Sequence, residues 1–294
     1  MAPLVDMLNT LSVFALLDNG KVRDQNEDNY YRSDLDPAVD PATGQLFFAV
    51  DGVGGNLGGA EASFIACQLL PKHFFDPVRR TMPLMERLAE AIDLTHDEIV
   101  AAGLINSLHR EMSCTLVALA TADRESAIAW LGDSRIYRMR KDRLKQLTID
   151  HSMVQEQVDL GILTEAQAAK HPNRNVVTRT LGGLERNIPD IRPLALQDGD
   201  RIILCTDGLH GPVSDGMLAD LLKQAKSIEQ IVQEAVQLAN QNGGPDNIAA
   251  IGIQHGNFAN VTQSNNSVAQ YGQPIGLQYT PPPPRRRWRI WPWR

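Results

Sequence analysis

Three apolar runs of strand length in this chain close on an aspartate with a glycine beside it. They are "LFFAVDGVGG" (Asp51), "AIAWLGDSR" (Asp133) and "RIILCTDGL" (Asp207). A fourth stretch, "GGPDNIAAIGI", sets Asp246 just ahead of such a run, and "RDQNEDNYY" offers Arg23, Glu27 and Asp28 soon after the first one. One acid at one strand end is ordinary turn chemistry, because Asp and Gly favour turns and turns follow strands. Repetition changes the meaning. A fold that brings these ends together crowds carboxylates that repel one another, and only a cation relieves that. The donors are all oxygen, with no Cys or His pair at metal spacing, so the cation is a hard one, Mg²⁺ or Mn²⁺. Gly52, beside Asp51, can present its carbonyl to a metal with no side chain in the way.

The strands themselves suggest the architecture. "VFALL", "LFFAV", "TLVALA", "AIAWLG", "RIYRMR", "RIILCT" and "IAAIGIQ" are β-rich. Several have too little chain between them for a helical crossover, so antiparallel sheets are expected. "DNGK" and "QDGD" carry the Asn/Asp-Gly pairs that supply positive φ at hairpins. Apolar residues at three- and four-residue spacing predict helices over "AEASFIACQLLPKHFF" and "PLMERLAEAIDLTHDEIVAAG". A capping-box pair, Ser227 and Gln230, opens a third helix that stops at Gly243. A weaker helical signal lies after Asp150, through "GILTEAQAAKHP". Strands and helices in separate groups predict an α+β layered sandwich.

Other classes are excluded on charge or spacing. The 294 residues carry a net charge of −7, which argues against a general affinity for nucleic acid. Cys67, Cys114 and Cys205 are scattered through apolar runs, as expected of buried thiols in a reducing compartment. "LSVFALL" lacks a basic flank and a cleavage site, and no apolar run is long enough to span a bilayer, so a cytoplasmic protein is expected. Neither Gly-Lys-Ser/Thr nor G-x-G-x-x-G occurs. The C-x₅-R and G-x-S-x-G arrangements of covalent hydrolases are missing too. The folded domain is expected over residues 10–256. An Asn/Gln/Pro-rich linker follows over 257–284, and a basic, tryptophan-rich tail, "RRRWRIWPWR", over 285–294. Arginine beside tryptophan suits a lipid headgroup region, and the proline run suits a polyproline-binding domain.

The ordered series "RDQNED", "AVDGVGG", "MSCTLVAL", "WLGDSRIY", "QLTIDHS", "HPNRNVVTRTLG", "ILCTDGL" and "GGPDNIA" resembles the metal-dependent serine/threonine protein phosphatases of the 2C type, the PPM family, in its compact bacterial form. The resemblance covers about residues 10–255. It implies a four-layer αββα sandwich of two antiparallel sheets with a metal cleft at one edge. It implies hydrolysis of phosphoserine and phosphothreonine by a water activated between two Mn²⁺ or Mg²⁺ ions, without a phosphoenzyme. Asp51 would bridge the two metals, with the Gly52 carbonyl on one and Asp207 and Asp246 on the other. Glu27 and Asp28 would order waters, Arg23 would clamp the phosphate, and Asp133 would hold a weaker third ion with Asp207. "GILTEAQAAKHPNRN" matches the family's flap. Phosphorylated proteins are the implied partners, with a serine/threonine kinase opposing the enzyme. The alternative is a non-catalytic member that binds through the same fold. Two positions depart from common patterns: Val53 replaces a histidine proposed to protonate the leaving group, and Gly211 stands where many relatives have an acid.

Overall fold

The structure is a computed structural model, and it describes residues 11–53, 58–105, 111–123 and 125–256. In chain order the first half holds β1 (Leu11–Asp18), β2 (Asn29–Arg32), β3 (Gln45–Val50), β4 (Gly52–Val53), α1 (Gly58–Phe74) and α2 (Leu84–Ile105). Then come β5 (Ser113–Cys114), β6 (Leu116–Ala122), β7 (Glu125–Leu131), β8 (Arg135–Arg140) and β9 (Arg143–Gln146). After α3 (Met153–Asp159) and α4 (Glu165–Ala168) follow β10 (Leu181–Gly182), β11 (Asp190–Pro193) and β12 (Arg201–Cys205). The last elements are α5 (Asp207–His210), α6 (Asp215–Leu222), α7 (Ile228–Gln241) and β13 (Ile248–His255).

Two five-stranded antiparallel sheets result, ordered β1-β13-β12-β8-β9 and β11-β7-β6-β3-β2, with a small third sheet β10-β5-β4. β3 shows why their strands read as continuous apolar runs. Leu46, Phe48 and Val50 pack under α1 and α2, while Phe47 and Ala49 point the other way, into the space between the sheets. A strand covered on both faces has no polar side to show. β13 behaves alike, with Ile248 and Ala250 against α5–α7 and Ala249, Ile251 and Ile253 between the sheets. The layers are therefore helix, sheet, sheet, helix, as the resemblance implied.

The pairing register gathers the acidic strand ends at one edge. Asn29 faces Val50, and Ala49 faces Val117, so the entry to β2 lies beside the exit from β3. Leu116 faces Leu131, which adds the exit from β7. In the other sheet Cys205 faces both Ala250 and Arg135, so the exit from β12 meets the entries to β13 and β8.

The predicted helices are present, and the capping box on α7 is formed by Ser227 and Gln230. The signal after Asp150 becomes α3 and the single turn α4, which has its own capping box from Thr164 and Gln167. The hairpin reading of "DNGK" and "QDGD" is corrected. Gly20 and Gly199 do take positive φ (71° and 84°), but β1 pairs with β13 and β12 with β13 and β8. Both glycines serve connections between the two sheets, where the chain must turn sharply as well. The linker and tail, residues 257–294, lie outside the described residues. Among the described residues no helix is long and apolar enough to cross a membrane.

Candidate active site

Asp51 follows the last residue of β3, and Asp133 sits in the turn from β7 to β8. Asp207 opens α5, with Thr206 at its N-cap directly after β12, while Asp246 lies two residues ahead of β13. Arg23, Glu27 and Asp28 belong to the loop between β1 and β2. The carboxyl groups of Asp28 and Asp207 both reach that of Asp51. Asp133 and Asp246 stand near enough to Asp207 for their charges to be felt there. Arg23 closes the cluster from outside, its Nη2 donating to Asp246 Oδ2 at 2.8 Å.

Burial drives the electrostatics. It raises Asp51 well above the usual carboxylate range, and the neighbouring Asp28, Asp207, Asp133 and Asp246 add to the rise. Asp28, Asp133 and Asp207 are also pushed up, by burial first and by neighbouring aspartates next. Glu27 is raised by burial, against the opposing pull of Arg23. Both partial burial and like charge disfavour the ionised form, so these acids share too little positive charge. Asp207 makes this concrete: its Oδ1 is buried and has no hydrogen-bond partner. A buried acceptor left unpaired is costly, and a bound cation is one way to satisfy it. Among the described residues no three His, Cys, Asp or Glu side chains already enclose one point as ligands. The donors are oxygens brought side by side, which fits Mg²⁺ or Mn²⁺.

Several polar residues that the sequence did not single out hold these acids in place. Thr206 donates its hydroxyl to Asp28 Oδ2 (2.7 Å) and accepts from the Ala249 N–H (2.9 Å), tying the loop before β2 to both central strands. Asn247 accepts the Glu27 N–H through Oδ1 and donates through Nδ2 to the Asn19 and Gln25 carbonyls. It thereby shapes the loop that carries Arg23. The available signal was position: each lies next to an acid inside a quoted motif, "CTDGL" or "GGPDN".

The glycines permit close approach. A Cβ on Gly52 would lie 2.4 Å from the Gly59 backbone, and one on Gly208 would lie 1.9 Å from the Asn247 carbonyl oxygen. His151 accepts the Gly132 N–H through Nδ1, so its proton is on Nε2, toward Asp190. It braces the "LTIDHS" loop, and His171 caps the flap locally through Nδ1 to the Asn173 N–H. His210, next to Gly211, turns Nε2 toward the Asp133 carbonyl at 3.1 Å. Burial lowers its basicity well below the ordinary range, so the ring is neutral and Nε2 carries the proton.

Comparison with known proteins identifies the family and the fold. Residues 23–251 match the family model described as Protein phosphatase 2C. The serine/threonine phosphatase stp of Listeria innocua is 31% identical over 246 residues, covering 81% of this chain and 93% of that protein. The crystal structure of the Mycobacterium tuberculosis serine/threonine phosphatase PstP/Ppp superposes with a TM-score of 0.74 at 31% identity, covering 84% of this chain and all of that one. A PstP catalytic domain in complex with two manganese ions gives a TM-score of 0.72 at 29% identity, over 84% of this chain and 99% of its own. With the matched segment spanning the acidic edge from Arg23 to Asp246, the chain belongs to the protein phosphatase 2C family.

Proposed function

We propose that this protein is a metal-dependent phosphoprotein phosphatase that hydrolyses phosphoserine and phosphothreonine, in opposition to a serine/threonine kinase. The observation that carries the reading is the buried, unpartnered Oδ1 of Asp207 among four further carboxyl groups at one sheet edge. Asp51, the Gly52 carbonyl, Asp207 and Asp246 are the residues that would hold two Mn²⁺ or Mg²⁺ ions. Glu27 and Asp28 would order water, and Asp133 with Asp207 would hold a weaker third ion. When bound, such a pair of ions polarises phosphoryl oxygens and makes a nucleophile available at neutral pH.

The chain's own groups do the rest. Arg23 is exposed beside the acidic cluster, its guanidinium oriented by Asp246 and its charge reinforced by Asp246, Glu27 and Asp51. Its planar fork would match two non-bridging phosphate oxygens. Val53 has no proton to give, and no side chain is assigned as acid to the leaving oxygen. Residues 10–256 are the phosphatase domain in this reading. The protein is placed in the cytoplasm, with the arginine- and tryptophan-rich tail docking at an anionic membrane surface or a polyproline-binding partner. Cosedimentation with anionic vesicles, comparing the full chain with one ending at Thr280, tests the tail; equal partitioning would remove the membrane from the proposal.

The deciding experiment is hydrolysis of a phosphothreonine peptide with Mn²⁺, with EDTA, and with Asp207→Ala. Turnover that needs Mn²⁺ and is lost in the variant is expected. Folded protein without turnover in either Mn²⁺ or Mg²⁺ would point to the non-catalytic binding module.

A further inference from the structure

Strands β3 and β4 share one register with β6 and β5: Ala49 faces Val117 on one side of Asp51, and Gly52 faces Cys114 on the other. Asp51 therefore stands opposite Thr115. In an antiparallel ladder such a pair exchanges two backbone hydrogen bonds. Only one is made in the usual way, from the Thr115 N–H to the Asp51 carbonyl at 2.8 Å. The Asp51 N–H goes instead to the side-chain oxygen of Thr115, at 3.0 Å. A hydroxyl has taken the place of a ladder carbonyl at a residue whose carboxylate belongs to the acidic cluster.

That hydroxyl is pinned from the other side. Thr115 Oγ1 lies 2.7 Å from Ser134 Oγ, and both residues are fully buried, at 1% and 0% exposure. The Thr115 methyl lies against Gly132, where φ is +98° and an added Cβ would come within 2.6 Å of it. Gly132 and Ser134 are the two neighbours of Asp133. A single threonine side chain thus fixes Asp51 through its backbone and touches both residues that flank Asp133.

We propose that Thr115, backed by Ser134, is a positioning residue. Its hydroxyl sets the Asp51 carboxylate and couples it to the Asp133 turn, so that the two acids reach the metal ions as one unit. The inference rests on the metal reading given above. Removing the hydroxyl strands the part-buried Asp51 N–H, which then seeks the Thr115 carbonyl and draws Asp51 back toward the sheet.

The test uses the 294-residue chain with MnCl₂, reading Mn²⁺ affinity by titration calorimetry alongside kcat and KM on a phosphothreonine peptide. Thr115→Val, which keeps shape and loses the hydroxyl, is expected to weaken Mn²⁺ binding about tenfold and to lower kcat, as loss of a group that orients a ligand does. KM stays as in the unaltered chain, because Arg23 is untouched. Thr115→Ser restores Mn²⁺ affinity to within about threefold, and Thr115→Val with Ser134→Ala is no worse than Thr115→Val alone, since the serine acts only through the threonine. Unchanged Mn²⁺ affinity in Thr115→Val overturns the proposal, and so does a Thr115→Ser chain as weak as the valine variant. Should Thr115→Val fail to fold, Ser134→Ala decides by the same titration: weakened binding supports the coupling and unaltered binding refutes it. Asp207→Asn is run beside them. Undiminished Mn²⁺ binding there would mean that the metal assignment, not the threonine, is at fault.

Discussion

Gly208 shows how closely the backbone is packed behind the acids. It follows Asp207 at the start of α5, and a Cβ there would lie 1.9 Å from the Asn247 carbonyl oxygen and 2.8 Å from the carbonyl carbon. Both are backbone atoms, so no side-chain rotation relieves the contact. Gly208→Ala is expected to destabilise the chain by about 1–3 kcal/mol, the usual range for forcing a methyl into a filled space. Urea denaturation followed by circular dichroism measures it. Because α5 and the strand after Asn247 must separate, Mn²⁺ affinity falls in the same variant. Gly211 differs: its Cβ would meet only the Asp207 carbonyl, at 2.8 Å, within the same turn.

At the scale of elements, the β8–β9 hairpin carries avoidable strain. Lys141 and Asp142 both adopt positive φ, 48° and 60°, as a two-residue turn matched to strand twist demands. Neither is glycine. Asp142→Gly is expected to stabilise the protein by about 0.5–1 kcal/mol, read as a higher urea midpoint with unchanged slope. The sequence misled at "DNGK" and "QDGD", which join the two sheets, and informed elsewhere for one physical reason. Burial on both faces writes β3, β6, β7, β12 and β13 into continuous apolar runs, and α7 announces itself through Ser227 and Gln230. β2, β9 and β11 are edge strands of four residues each, too short to carry a pattern, and β1 next to "DNGK" pairs with a strand at least 230 residues away. The acids of the site were legible because each ends a strand. Thr115, Ser134, Thr206 and Asn247 were not, because their roles are hydrogen bonds to residues 19 to 228 positions distant.

For the whole molecule, two sets of groups titrate with opposite consequences. His96 is buried on α2, accepts the Gly182 N–H through Nδ1, and has its basicity lowered, by burial first and by Arg186 next, against Asp97 and Asp93. Its unfolded pKa is about 6.5. Below that value the unfolded chain takes up a proton that the native ring resists, so stability falls with falling pH from about 6.5 down to the native pKa. His151, also lowered mainly by burial, acts in the same direction. Urea midpoints should therefore drop between pH 7 and pH 5, by at most about 1.4 kcal/mol per pH unit for each histidine, and His96→Gln should flatten part of that slope. Asp28, Asp51, Asp133 and Asp207 run the other way. Their native pKa values lie above the unfolded value of about 3.9, so without metal the native state binds more protons across that window, and stability falls as pH rises through it. At neutral pH in EDTA, Asp207→Asn relieves part of that cost. A gain of about 1 kcal/mol would raise the melting midpoint by roughly 2–4 °C in a domain of this size. Saturating Mn²⁺ reverses the order: the unaltered chain gains RT ln(1 + [Mn²⁺]/Kd), and the variant, which has lost the carboxylate charge and one of its two oxygens, gains little. Melting curves of both chains in EDTA and in Mn²⁺ check the crossing. A variant that gains as much from Mn²⁺ as the unaltered chain would show that Asp207 does not hold the ion, and the cost of keeping five acids at one edge would need another purpose.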